Sequence, residues 1–330
     1  MTTSVVADMS DLSANLPGPL TATYVGADEY GDVDVLQLRE EQLPPPGPGQ
    51  VRLEVRAVGV NPVDLKVRQG LRGNGDTPFR LGYEVAGVVE SVGPDVTNVR
   101  VGEEVMAFRI AGGYASALTV PAADVVPKPA SLPWSEAAGL LLAGVTAVHA
   151  LDVTGVEPGD VILLHGAAGA VGQVVIQLAM LREARVIGTA SPHNHDLLRS
   201  LGAVPIEYGE GLADRVRAAA AGTGPVTVAI DAAGTDEALS VSLDLVDRDR
   251  MATVVVTPQN LAAGVKALGG APGADPGTAL RNAARAPLAD LAGQGKVKVR
   301  VVKEFRLDQA REAQRFVAEN HAAGKVVLLP

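Results

Sequence analysis

Cysteine does not occur anywhere in the 330 residues. Its absence excludes disulfides, thiolate nucleophiles and every zinc site that depends on cysteine. The five histidines, His149, His165, His193, His195 and His321, show no ligand spacing, so no metal site is expected. No stretch approaches the roughly 18 uncharged apolar residues of a membrane helix, and there is no run of Lys or Arg. With 28 basic against 38 acidic residues, a net charge of −10, the surface repels nucleic-acid phosphates. The opening "MTTSVVADMSDLSANLPGPL" has no basic leader and no long apolar core, and reads as a polar extension rather than a signal peptide. Without an export signal, the expectation is a soluble cytoplasmic protein with neither a nucleic-acid nor a membrane partner. What is present is 47% hydrophobic and 20% charged, the balance of a globular chain long enough for two domains.

The first stretch is rich in Val, Gly and Pro. "QVRLEVRAVGV" (50–60) alternates like a half-buried strand, after the turn-forming "LPPPGPGQ". "YEVAGVVESVG" and "GEEVMAF" follow as strands, and this spacing predicts a small β-barrel. At "PKPASLPWSEAAGLLLAGVTAVHALDV" the texture turns helical. Ser135 is expected to cap the first helix, with Glu136 in its first turn and Trp134 anchoring its start. From Val161, the strands "VILLH", "ARVIGTA", "AVPIEY", "VTVAID" and "MATVVV" alternate with helices near 172–182, 195–201, 211–220 and 236–246. Apolar strands alternating with helices predict an α/β fold with a doubly wound parallel sheet. One more strand is expected in "NLAAGVKALGGAPGADPG", then a helix through "LRNAARAPLADLAGQ" that Pro287 kinks or delays. "KVKVRVV" and "GKVVLLP" are expected to rejoin the first domain as strands. The division is an extension (1–19), a barrel domain (20–127), a doubly wound domain (128–276) and a return to the barrel (277–330).

Residues 163–179, "LLHGAAGAVGQVVIQLA", run from strand through a glycine loop into a helix. Gly166, Gly169 and Gly172 form G-x-x-G-x-x-G, which keeps the second and third glycines of the dinucleotide fingerprint. The second lets the backbone approach a pyrophosphate, and the third lets the helix pack on the strand. Ala167 stands where the tight-turn glycine belongs, which is tolerable if its φ stays negative. The helix start then offers unpaired N–H groups to an anion. A tight turn with nothing bound is the alternative; the strand, helix and second strand around the loop favour binding. After that second strand no Asp or Glu occurs between Arg185 and His195. Ser191, Asn194 and His195, with Arg199 one turn on, suit a 2′-phosphate, which favours NADP(H) over NAD(H). Ser191 and Asn194 as simple helix caps is the other reading.

In this order the motifs resemble the zinc-free, quinone oxidoreductase (zeta-crystallin-like) group of the medium-chain dehydrogenase/reductase superfamily, over residues ~20–330. The residues are "VRAVGVNPVDLKVRQG" (55–70), "PFRLGYEVAGVVESVGPDV" (78–96), "VGEEV" (101–105), "GGYAS" (112–116), "AAGLLLAGVTAVHAL" (137–151), "HGAAGAVG" (165–172), "DAAG" (231–234) and "GKVVL" (324–328). The resemblance implies a GroES-like barrel, a Rossmann domain and a cleft between them. Zinc-dependent members of the superfamily carry cysteine where Asn61 stands and Gly-His-Glu where this chain has "GYE" (82–84).

Carried over by motif, the resemblance puts Asn61 and Thr146 by a nicotinamide, and Gly166, Ala167, Ala168, Gly169, Ala170, Val171 and Gly172 by the pyrophosphate. It puts Ser191, Asn194, His195 and Tyr208 by the adenosine phosphate, and Ala233, Gly234, Val255 and Val256 along the cofactor. Asn61, Lys66, Tyr83 and Thr146 are the candidate catalytic-cleft residues. Lys66 and Arg72 replace tyrosines of some quinone reductases, which makes the cleft mouth cationic. Each has a structural alternative: Asn61 shaping the turn before Pro62, Asp64 paired with Lys66 or Arg68 on the surface, Tyr83 as cleft wall, Lys66 as a solvated charge. His165 is expected to fix a strand end, and Thr146 to bond back within its own turn. The implied activity is NADPH-dependent reduction of a small-molecule quinone or enone. An enoyl-thioester reductase and a non-catalytic NADPH-binding protein are the alternatives. By analogy a strand near "GVKALGG" pairs with its twin in a homodimer.

Overall fold

A computed structural model describes residues 18–72, 76–222, 224–320 and 323–330. Residues 1–17 of the expected N-terminal extension, and His321, lie outside the described residues. The chain begins with β1 (Leu20–Ala27), β2 (Gln37–Leu43), β3 (Gln50–Val60), a short helix α1 (Pro62–Arg68), β4 (Phe79–Arg80), β5 (Glu84–Val92), β6 (Glu104–Phe108), β7 (Ala117–Pro121) and β8 (Val125–Pro127). Helices α2 (Trp134–Ala138) and α3 (Leu141–Val153) lead into an alternating segment. That segment holds β9 (Val161–His165), α4 (Ala170–Leu181), β10 (Arg185–Thr189), α5 (His195–Ser200), β11 (Val204–Ile206) and α6 (Leu212–Ala220). It continues with β12 (Val228–Asp231), α7 (Asp236–Leu245), β13 (Met251–Thr253), α8 (Pro258–Ala262) and β14 (Lys266–Ala267). The chain closes with α9 (Thr278–Ala283), α10 (Arg285–Gly293), β15 (Val301–Arg306), α11 (Ala310–Asn320) and β16 (Lys325–Leu329).

The fold is mixed α/β. Six strands form a parallel sheet in the order β11-β10-β9-β12-β13-β14. Strand β9 is buried along its whole length, as a central strand covered on both faces must be. The strand order reverses between β9 and β12, and the crevice beyond their carboxyl ends is where such sheets bind ligands. Both the glycine loop, which follows β9, and "DAAG", which ends β12, open there. Strand β14 ends the sheet. On its outer side Asp275 N–H donates to Ala267 O and Gly269 N–H to Asp275 O, each at 2.8 Å.

The second sheet runs β15-β16-β3-β5-β6-β8, with β7 also on β3, and β2-β1-β4 pack beside it. Of the two expected terminal strands, "GKVVLLP" forms β16, which pairs antiparallel with β3, Val327 opposite Gly59, whereas "KVKVRVV" is extended only from Val301, where β15 begins. Gly59 sits in a crowded spot, where a Cβ would come within 2.4 Å of both Ala138 O and a Glu84 carboxylate oxygen. Strand β3, helix α2 and Glu84 therefore meet at one point.

Several local expectations change. Ser135 does not cap α2. Pro133 holds the cap position, and the Ser135 hydroxyl bonds Glu304 of β15. Trp134 does open the helix, with the Lys128 ammonium 4.5 Å from its ring centroid. "MATVVV" leaves the sheet after Thr253, where Val255 N–H donates to the Thr253 hydroxyl at 3.1 Å and the chain turns. The single helix expected through 280–294 is two, α9 and α10. Pro287 falls in the first turn of α10, where its missing N–H breaks no helical bond.

Candidate active site

The loop after β9 carries its backbone strain on Gly166, at φ 70°, and Ala167 is not among the positive-φ residues. The left-handed position has moved one residue upstream of the fingerprint's first glycine. The Ala167 methyl points into the protein, fully buried, and Gly188 of β10 leaves room for it; a Cβ on Gly188 would stand 2.7 Å from that methyl. Gly166 N–H is 3.3 Å from the Thr189 hydroxyl and Ala167 N–H 3.1 Å from Thr189 O, so β10 holds the loop. Gly169 occupies the cap of α4, and the first amide bonded into the helix is Gln173, to Gly169 O at 2.9 Å. The amides of Ala170, Val171 and Gly172 come before it and have no acceptor within the helix. Gln173 Nε2 donates to Ala168 O at 2.6 Å and fixes the loop from inside. A Cβ on Gly172 would lie 2.6 Å from Gly166 O and 2.7 Å from Ala167 Cα. Only glycine lets α4 start this close to β9, which aims its open end at the crevice.

Beyond β10, the Ser191 hydroxyl and the exposed Tyr208 phenol are 2.9 Å apart. His195 Nε2 is 3.2 Å from Ala190 O and Asn194 Nδ2 3.1 Å from His193 Nε2. Neither Ser191 nor Asn194 makes a side-chain cap bond, so the capping alternative does not hold. Arg199 pairs with Asp196 at 2.7 Å, both side chains exposed. Ser191, His195 and Tyr208 thus gather at one sheet edge with no carboxylate among them. Across the crevice, Asp231 Oδ1 accepts from Ala233 N–H and Gly234 N–H at 2.8 and 2.9 Å. Its Oδ2 takes the Thr253 hydroxyl at 3.1 Å. Gly234, at φ 73°, lies under Val255, whose Cγ1 a Cβ would meet at 2.3 Å. Val256 follows, half-buried.

On the barrel side, Asn61 caps α1 from a fully enclosed position. Its Nδ2 donates to Glu84 Oε1 at 2.9 Å, and its Oδ1 accepts from Lys325 Nζ at 2.6 Å. Lys325 also meets Glu84 Oε1 at 2.5 Å, and Glu84 Oε2 accepts Leu142 N–H, at the start of α3, at 2.8 Å. Glu84 and Lys325 are 1% and 3% exposed, so this is a buried ion pair tying β5, β16, α1 and α3 together. A divalent cation does not fit this donor set. An ammonium already neutralises the carboxylate and donates to the amide oxygen, and Tyr83 and Asn61 stand where histidine and cysteine would be. Among the described residues no cluster of His, Cys, Asp or Glu is arranged to hold a metal ion.

Asp64 is not on the surface. It is wholly buried, accepting Asn61 N–H at 2.7 Å, Gly82 N–H at 3.3 Å and the Tyr114 hydroxyl at 3.2 Å. Burial pushes its carboxyl up to about 7 against these hydrogen bonds; the nearby Lys325 opposes the rise and Glu84 adds to it. Arg68 turns away to Gln314 and Gly31 O, each at 2.7 Å. Lys66 is half-buried rather than freely solvated, its pKa lowered by burial and by Arg72. Tyr83 is half-buried, its phenol raised by burial and by the Asp64 charge, with Arg72 opposing. Thr146 bonds back to Leu142 O at 2.7 Å, the local reading of that residue. His165 closes its strand by bonding Ser242 at 3.2 Å.

Sequence reading missed Glu84, Lys325 and Asp231 as site residues. The motifs "GYE", "GKVVL" and "DAAG" contain them, but nothing local announces that an acid at 84 meets a lysine at 325.

Residues 47–130 match the alcohol dehydrogenase GroES-like domain, and residues 204–328 the family described as zinc-binding dehydrogenase. A 2-haloacrylate reductase from Burkholderia sp. is 34% identical over 323 residues, 91% of this chain and 96% of that protein. The rat synaptic vesicle membrane protein VAT-1 homolog is 41% identical over 177 residues, 52% of this chain and 44% of that protein. That second match spans under half the length of the rat protein. Escherichia coli quinone oxidoreductase complexed with NADPH superposes with a TM-score of 0.82 at 26% identity, covering 93% of this chain and 100% of that one. CurK enoyl reductase superposes at 0.81 with 27% identity, over 93% and 99%.

Proposed function

The chain belongs to the medium-chain dehydrogenase/reductase superfamily of oxidoreductases, and from that premise we propose that it reduces a quinone or an α,β-unsaturated carbonyl compound with NADPH, without zinc. The observation that carries the reading is the crevice beyond β9. It combines a backbone cradle that a single Cβ would fill with a hydroxyl pair free of carboxylates at the end of β10.

When bound, the nicotinamide supplies a hydride from its C4. The open amides of α4 hold the diphosphate. Ser191, Tyr208 and His195 take the 2′-phosphate. Val255, propped on Gly234, lines the cofactor's path. Asn61 is held rigid by Glu84 and Lys325 beside the nicotinamide. As hydride arrives at an alkene or quinone carbon, negative charge builds on the conjugated oxygen. Lys66 and Arg72 at the cleft wall meet that charge. Tyr83, its phenol kept protonated by burial, is the side-chain proton donor in reach, and water is the alternative. Similarity to an enoyl reductase supports a thioester as the second substrate class.

Steady-state NADPH oxidation across quinones, enones and enoyl thioesters tests this, together with nucleotide titration of wild type and His195→Asp. Turnover of one class, tighter binding of NADPH than NADH, and a shift toward NADH of about tenfold or more in the variant are expected. Micromolar NADPH binding without turnover would favour a binding protein. A preference untouched by the substitution would remove His195 from the phosphate site. A monomeric mass in solution would refute the homodimer proposed through the β14 edge.

A further inference from the structure

The chain has ten more acids than bases, and its buried arginines mostly meet carboxylates: Arg52 with Glu90, Arg68 with Asp32, Arg285 with Asp124. Arg281, also buried, is different. Lys66, Arg72, Arg109 and Arg281 have no carboxylate within ion-pair distance among the described residues.

Arg109, directly after β6, takes a left-handed φ of 66°, an uncommon conformation for a side-chain-bearing residue. Its N–H donates to Tyr83 O at 3.1 Å, which fixes it to the candidate cleft. Its guanidinium crosses to α9, where Nη1 donates to the Thr278 hydroxyl at 3.1 Å. One turn on, Arg281 is only 9% exposed. Its Nε donates to His149 Nδ1 at 3.1 Å, and His149 Nε2 lies 3.2 Å from Asp275 Oδ2. The imidazole therefore stands between Arg281 and the acid and orients the guanidinium. Burial first, then the Arg281 charge, lowers the pKa of His149, which keeps the ring neutral and able to accept. His149 is also one turn along α3 from Thr146, on the same face.

The decisive atom is Arg281 Nη2, which is buried and has no hydrogen-bond partner. A buried donor on a cation is costly to leave unpaired. Burial and then the Arg109 charge lower the Arg281 pKa, and the Asp275 charge opposes them. Two like charges held together, one with an idle donor, form a receptor for an anion.

We propose that Arg109 and Arg281 form an anion subsite at one wall of the cleft, so that the reducible substrate carries an anionic group, a carboxylate or a phosphate. The inference rests on the reductase reading and deepens it by naming the substrate class. Arg281 anchors the anion from inside the wall, and Arg109 closes over it from the barrel side. Lys66 and Arg72 add a field that draws anionic substrates to the mouth.

Two substrate pairs separate the sources of charge. One is an enone acid with its uncharged amide; the other is an enoyl-coenzyme A with the phosphate-free N-acetylcysteamine thioester. The charged member of one pair should show kcat/KM about tenfold or more above its neutral partner, and Arg109→Gln, at an exposed position, should cut that ratio about tenfold. In parallel, calorimetric titration of the NADPH-loaded protein with benzoate and with inorganic phosphate reads the subsite without turnover. One anion should bind, and Arg109→Gln should weaken it by a similar factor. A gain in the acid pair assigns a carboxylate, and a gain in the coenzyme A pair assigns a phosphate. Equal kcat/KM within both pairs, or binding of neither anion, overturns the subsite even if neutral enones are reduced. Failure to reduce any enone while an anion still binds through Arg109 strikes the reductase reading alone.

Discussion

Replacing Lys325 by Met removes an ammonium that lies 2.5 Å from Glu84 Oε1 and 2.6 Å from Asn61 Oδ1. The Glu84 carboxylate, 1% exposed, is left with Asn61 Nδ2 and Leu142 N–H as its only donors. An isolated buried charge with two neutral hydrogen bonds is poorly compensated, and breaking such a pair costs about 3–5 kcal/mol. That is a large part of the 5–15 kcal/mol typical of a folded domain. Glu84→Gln should cost a comparable amount by stranding the ammonium. The double variant carries neither charge, and the amide oxygen introduced at position 84 still accepts from Leu142 N–H. Its cost should fall short of the sum of the singles by about 1–3 kcal/mol. Urea unfolding followed by tryptophan fluorescence is the assay. Trp134 is the sole tryptophan, and its helix α2 ends against Gly59 and Glu84. Additive costs, or a single-variant cost below about 1 kcal/mol, would refute the reading of these groups as a coupled buried pair.

Two further outcomes follow from the same geometry. The Asp64 carboxyl holds its proton up to about 7 in the folded chain, against 3.8 ordinarily. Folding therefore takes up a proton between these values: the stabilising contribution is complete below pH 4 and is lost as pH rises toward 7. Wild-type stability should fall relative to Asp64→Asn by up to about 1.4 kcal/mol per pH unit in that window, and parallel stability profiles would show that Asp64 is not held protonated. Gly172→Ala forces a methyl to 2.6 Å from Gly166 O, whereas at Gly169 the nearest atom is 3.4 Å away. The first substitution should cost about 1–3 kcal/mol and weaken NADPH binding at least about tenfold, the second much less, both read by denaturation and nucleotide titration. Equal effects would mean that contact of α4 with the loop does not shape the cradle.

Most of the alternating segment was legible because its information is local. Apolar runs of four to six residues and the glycines between them specify β9 to β12 and the helices that follow each strand. The glycine loop was legible for the same reason, down to the tolerance of Ala167. Asp64 was not. In "NPVDLKVR" it has basic neighbours at 66 and 68 and reads as a surface acid. Its burial comes from Gly82 and Tyr114, which arrive from other strands. Ser135 failed as a cap because its hydroxyl found Glu304, 169 residues away. Lys325 and Glu84 are 241 residues apart. Periodicity reports which face of an element is covered, and it is silent on which distant charge completes the cover.

The ion pair also joins residues made far apart in time. On a ribosome that emits residues one by one, Glu84 and Asn61 emerge well before Lys325, and until then the carboxylate has no counter-ion to take with it into a dry interior. Docking of β16 on β3 is what brings the ammonium to position 84.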